Sequence, residues 1–183
     1  MQRVSSALAA GALTAMALTG CDGGTSPSPN PTPLPTASPT PTPAGHKDGH
    51  FTFTLLSLEC GIKGVTGTHS EAPPDGQFCE ARLRVRNDDP DFHSYVTKNQ
   101  RLEGVAEPKN HPDPFAMAVR RQNPEEKIGG SDLVEVELWF DIPLGSKVTG
   151  LRVEGDRDAA GFLDNEIVAH APDGLLIPMT PTA

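Results

Sequence analysis

Apolar and polar residues alternate with a period of two from about His50 to Met179. Cys79, Ala81, Leu83, Val85 and Asn87 share one face, and Glu80, Arg82, Arg84 and Arg86 the other. Val134, Val136, Leu138 and Phe140 alternate in the same way with Glu135, Glu137, Trp139 and Asp141, and Phe51, Phe53 and Leu55 with Thr52 and Thr54. Such alternation predicts half-buried strands, each with one core face and one wet face, in antiparallel sheets. Weaker strand candidates are Tyr95–Val105, Phe115–Arg121, Val148–Val153, and Asp164–Ala169 or Leu175–Met179. Pro74-Asp75-Gly76, Asn123-Pro124, Gly129-Gly130 and Pro172-Asp173-Gly174 read as turns between them. No stretch carries a sustained helical stripe with caps. About seven short strands separated by turns predict an all-β domain over residues 50–180, folded as an antiparallel β-sandwich.

The pattern changes before that domain. Arg3 precedes an apolar, Ala-rich run, Val4 to Leu18, too short and small-sided for a stable membrane span. Residues 1–20 therefore read as a secretory signal peptide. Leu18-Thr19-Gly20-Cys21 resembles the lipobox of bacterial lipoproteins: Leu at −3, small residues at −2 and −1, then a Cys. Lipid transfer needs the thiol of Cys21 as nucleophile, and the small neighbours admit the signal peptidase. Several acyl chains on one Cys anchor a protein durably where one would not. Residues 21–49 then form a tether. Gly24 to Pro43 holds eight Pro and eight Ser or Thr in twenty residues, with no apolar period to stabilise a core. Such a stretch predicts a disordered, extended stalk rising ~3.1 Å per residue.

Composition narrows the function. The chain has 183 residues, 15 basic against 24 acidic, and a net charge of −9. Loss of Arg3 with the leader brings the charge to −10. That balance argues against a nucleic-acid binder, which needs a basic face to neutralise phosphates. Anionic lipid would repel it, so the lipid on Cys21 is the expected hold on the membrane. The expected place is the outer face of a bacterial cell membrane.

With Cys21 lipidated, Cys60 and Cys79 remain. Two free thiols are not expected to persist outside the membrane. A bridge would staple the segment Gly61–Phe78 at its base and contribute ~3 kcal/mol in the chain-entropy model. The alternative is a pair of unpaired buried thiols.

The segments Cys60-Gly61-Ile62, Gly76-Gln77-Phe78-Cys79, Arg84-Val85-Arg86-Asn87, Gln100-Arg101-Leu102 and Leu138-Trp139-Phe140-Asp141-Ile142-Pro143 carry a resemblance. Over roughly residues 50–170 the chain resembles uncharacterised actinobacterial lipoproteins with an immunoglobulin-like domain, a domain similar to a secreted mycobacterial immunogenic antigen. The resemblance implies an immunoglobulin-like sandwich on a membrane anchor and no established activity. In that order of strands, Cys79–Asn87 and Val134–Asp141 are neighbours. The Arg82, Arg84 and Arg86 row would then lie beside Glu135, Glu137 and Asp141, with arginines over Trp139. The alternative places the two strands in different sheets. Asn87 is expected to turn the chain through its side chain, and Pro143 to end its strand.

The sequence carries no nucleophile elbow, His-Glu-x-x-His, phosphate loop or dinucleotide fingerprint, and His69-Ser70 cannot form a relay on a strand. No catalytic, cofactor or metal residue is assigned, and no enzyme is expected. Two weak metal candidates remain. Asp88-Asp89-Pro90-Asp91 with His93 could hold a hard cation, though a solvated acidic turn explains it as well. His46 and His50 could hold Cu or Zn. The expected function is a displayed binding or adaptor module acting on an unknown envelope protein or ligand, through Gly61–Gln77, Asn87–Ser94 or Glu107–Pro114. The alternative is an envelope metal-binding lipoprotein using those Asp and His clusters.

Overall fold

The computed structural model describes residues 43–156 and 170–179, all within one compact unit, Thr40–Ala183. The expected signal peptide, Cys21, most of the tether and the candidate strand Asp164–Ala169 lie outside the described residues. Within them the chain runs β1 (His46–Asp48), β2 (Phe51–Ile62), β3 (Val65–Thr66), β4 (Glu71–Ala72), β5 (Gln77–Asn87) and β6 (His93–Val96). It continues through a 3-10 turn (Thr97–Asn99), β7 (Arg101–Glu103), α1 (Pro114–Val119), β8 (Glu125–Ile128), β9 (Leu133–Ile142), β10 (Gly150–Val153) and β11 (Leu175–Pro178). The fold is all-β and every ladder is antiparallel.

A four-stranded sheet, β1-β2-β5-β9, faces a three-stranded sheet, β11-β10-β7. Among the described residues those sheets hold seven strands, but not the seven expected: β1 was not foreseen, and Phe115–Arg121 is not a strand. Two short ladders, β3-β4 and β6-β8, are additional. Phe51, Phe53, Leu83, Val85, Leu138 and Phe140 from the first sheet and Leu102, Leu151, Val153 and Ile177 from the second form one core. Each such side chain contributes about 1.5–3 kcal/mol by leaving water, so the alternating faces of β2, β5 and β9 supply the main driving force. β1 begins at His46, before the domain boundary expected at residue 50, and pairs Lys47 with Thr52.

β5 and β9 pair in register, with Arg82 opposite Glu137, Arg84 opposite Glu135 and Glu80 opposite Trp139. The expected neighbours are thus adjacent, and their charge rows meet in part. Glu135 takes both Arg84, at 2.7 Å, and Arg82, at 3.5 Å. Glu137 binds Arg120 instead, at 2.9 Å, and Arg120, not the β5 arginines, lies over Trp139 at 5.9 Å.

The reason is α1, where a strand was expected over Phe115–Arg121. Asp113 caps it, its carboxylate accepting from Ala116 N at 2.7 Å, and Pro114 occupies its first turn. A cap followed by proline pre-sets helical geometry in a stretch too short to show a stripe. Ala116, Met117 and Val119 then cover the outer face of β9, so Trp139, expected on a wet face, is only 6% exposed. The candidate strand Tyr95–Val105 is likewise broken, by the 3-10 turn and the fully buried Gln100. β9 ends at Ile142, directly before Pro143. Cys60 and Cys79, opposite one another in the β2-β5 ladder, are joined as a disulfide.

Candidate metal centre

Antiparallel pairing brings four chain segments to one end of the sandwich: the start of β2, the end of β5, the start of β9 and the end of β10. Three buried polar side chains clamp them. Asn87, fully buried, donates to the carbonyls of Asp91 (2.6 Å), Ile128 (3.2 Å) and Gly129 (3.0 Å), and its Oδ1 accepts from Asp89 N at 3.0 Å. This is the side-chain turn expected of Asn87, extended to a second loop. Gln100 donates to Val96 O and Glu154 O and accepts from Glu154 N. Asp48 accepts from Gly155 N at 2.8 Å and Ala171 N at 2.7 Å. Buried polar groups cost free energy unless satisfied, so each clamp specifies its loops.

Inside the clamped loops lies a cluster of histidines and aspartates. His50, in the β1-β2 turn, and His93, the first residue of β6, stack with ring centroids 3.8 Å apart and planes 18° from parallel. They are 7% and 4% exposed. His93 Nδ1 lies 2.8 Å from Asp156 Oδ2, and its Nε2 is 3.4 Å from Asp89 Oδ1, without hydrogen-bond alignment. His50 Nδ1 is buried with no hydrogen-bond partner. One donor atom each from His50, His93 and Asp156 falls within 4.8 Å of the others, the one such triad among the described residues. Asp89 and His170, each with a fifth of its side chain exposed, lie at the rim.

Gly49 makes room for the turn. Its φ is +62°, and a Cβ there would stand 2.5 Å from Asp156 O and 2.7 Å from the His170 ring. Only glycine meets both demands cheaply.

Burial, then the neighbouring His93, push the His50 imidazole below its ordinary pKa, against the pull of Asp89 and Asp156. A neutral imidazole is the form that can coordinate a metal. The backbone N–H of Asp91, chiefly, holds the Asp89 carboxyl below the usual range, so Asp89 stays anionic.

The two weak metal candidates of the sequence are each divided. His50 enters the cluster, whereas His46 sits in β1 opposite Phe53. Asp89 and His93 face one another. Asp88 instead accepts from Thr52 at 2.6 Å and Arg86 at 2.7 Å, with Lys47 3.8 Å away. The acidic run therefore does not converge its carboxylates on one cation. Asp156 was not singled out from the sequence, since no local motif surrounds it. Of the candidate binding loops, Asn87–Ser94 belongs to this end. Gly61–Gln77 lies at the opposite end beside the disulfide, and Glu107–Pro114 lies along β9, where Lys109 binds Asp141 at 2.8 Å and Asp113 N donates to Trp139 O.

No family model and no curated protein matches the chain. Among solved structures it is similar to the crystal structure of the YjhA protein from Bacillus subtilis. The two share 18% identity over 74% of this chain and 94% of that one, with a TM-score of 0.48.

Proposed function

We propose that this chain is a lipid-anchored extracytoplasmic lipoprotein that displays its β-sandwich as a binding or adaptor module of the cell envelope. The observation that carries the reading is Leu18-Thr19-Gly20-Cys21, behind a charged and apolar leader and ahead of a Pro-rich stretch. The Cys60–Cys79 bridge supports it, since disulfides persist in oxidising compartments. The working end is the clamped loop end. Loops carry function when a rigid scaffold positions them, and Asn87, Gln100 and Asp48 hold these ones fixed. The bulk of the sandwich serves as scaffold, and the module performs no catalysis. Cys21→Ala tests the anchor in the producing cell. The unsubstituted chain should partition into detergent and incorporate a labelled fatty acid, and the variant should do neither and should leave the membrane fraction. A variant that stays in the membrane with unchanged partitioning overturns the assignment.

A further inference from the structure

We propose that His50 and His93, with Asp89 at the rim, form a binding site for a borderline divalent metal ion of the zinc type, and that Asp156 orients His93 from outside it. The assignment deepens the reading of the loop end as the working end. It does not depend on the lipid anchor.

Three observations carry it. The first is the donor set. Two imidazoles and a carboxylate suit zinc and its late transition-metal neighbours, whereas calcium and magnesium select oxygen alone. The second is the unspent valence. His50 Nδ1 and His93 Nε2 are buried atoms without a hydrogen-bond partner, on residues 7% and 4% exposed. Buried polar atoms are almost always satisfied. The two rings stack with centroids 3.8 Å apart, and an ion reached by turning them out of that stack would satisfy both atoms. The third is the charge and its support. The Asp156 and Asp89 carboxylates both face His93, at 2.8 and 3.4 Å, and can balance a divalent charge. A carboxylate on a ligating imidazole is also the usual outer support of such sites, fixing tautomer and ring orientation. A tetrahedral ion with bonds of about 2.0–2.2 Å needs donors roughly 3.3 Å apart. One donor atom each of His50, His93 and Asp156 already lies within 4.8 Å of the others, so the rings have to turn toward the ion rather than travel to it. The loops need not move, because Asn87, Gln100 and Asp48 hold them.

The test uses the full chain, purified in detergent and stripped with a chelator. Zinc chloride is titrated calorimetrically, and cobalt(II) is followed by its visible d–d absorption. One zinc per chain, a thermal transition that rises with zinc, and a cobalt spectrum of nitrogen–oxygen ligation are expected. His50→Gln and His93→Gln should abolish all three. Asp156→Asn should weaken zinc about 10–100-fold, the usual loss when a carboxylate partner of a site is removed. His69→Gln, at an exposed position, should change nothing. Zinc bound equally well by His50→Gln and His93→Gln overturns the proposal, as does calcium binding in preference to zinc or no saturable binding. If the glutamine variants do not fold, X-ray absorption at the zinc edge of the unsubstituted chain decides. Scattering from two imidazoles supports the site, and from fewer refutes it. Fractionation of Cys21→Ala is read without zinc, so failure of the anchor and failure of the metal site are separate results.

Discussion

Asn87→Ala should be among the most damaging single substitutions at the loop end. The side chain is fully buried, and its Nδ2 faces the carbonyls of Asp91, Ile128 and Gly129 while its Oδ1 holds Asp89 N. Truncation leaves four backbone groups without this partner. The contacts to Ile128 and Gly129 are wholly buried; those to Asp91 and Asp89 are part-buried, so water can relieve them. A buried polar group left unsatisfied costs ~1–3 kcal/mol. Two such losses place the effect at roughly 2–6 kcal/mol, a large share of the ~5–15 kcal/mol that holds a domain. Asn87→Asp keeps the shape and the Oδ1 acceptor, but sets an oxygen against three carbonyl oxygens, and should cost more than alanine. Urea unfolding, followed by the fluorescence of Trp139, the sole tryptophan, reads both. The midpoint should fall at constant m-value. An alanine variant within about 1 kcal/mol of the parent, or an aspartate variant no less stable than the alanine one, would refute the clamp.

Two further predictions concern charge. A double-mutant cycle on Arg84 and Glu135 should give a coupling of about 0.2–1 kcal/mol at low salt, since the pair meets at 2.7 Å but is 44% and 41% exposed. The same cycle on Arg84 and Glu137 should give none, because Arg120 engages Glu137; the reverse pattern would contradict the described register. At Asp141, burial pushes the carboxyl up, but the hydrogen bonds from Lys109 and the Gly76 backbone outweigh it and hold the group below its ordinary range. Its folded value is below its unfolded one. Its contribution is therefore complete above about pH 4 and lost as pH falls through the folded value. Asp141→Asn should flatten the acid limb of the stability profile, and an unchanged slope would show that Asp141 does not carry it.

Much of the fold was legible because its signals are local. Period-two alternation marked β2, β5 and β9, and the strand order implied by the resemblance made β5 and β9 neighbours. What failed was the outer face of β9. From the sequence, Trp139 and Asp141 occupy wet positions, and they do lie on the outer side of the strand. A second layer covers them: α1 packs beneath Arg120 over Trp139, and Lys109 reaches Asp141. Alternation reports which side of a strand a residue faces. It cannot report what another segment lays over that side. The one sign of the cover was Asp113-Pro114, a cap and a first helical turn, which reads equally well as a loop.

The metal cluster was half visible for a related reason. His50 and His93 both stood out, each assigned to neighbours in sequence: His50 to His46, His93 to the acidic run. Local ligand spacing works for sites built within one loop. Here the donors sit where separate strands start and stop, and His93 and Asp156 are 63 residues apart. Register is what joins them. Phe51 pairs with Asn87, so the residue before Phe51 must meet the residue after Asn87, and Asp88 N does donate to His50 O at 2.8 Å. The Asn87 turn then folds Asp89 back toward His93, and Gln100 ties the end of β10 to the same place. Once β2 and β5 are paired in that register, bringing His50 to the acidic run requires no further assumption. Asp156 requires one more, that β10 ends at the same rim. An antiparallel sandwich turns strand ends into neighbours, so in such a fold ligand sets are better sought among residues flanking paired strands than among residues close in sequence.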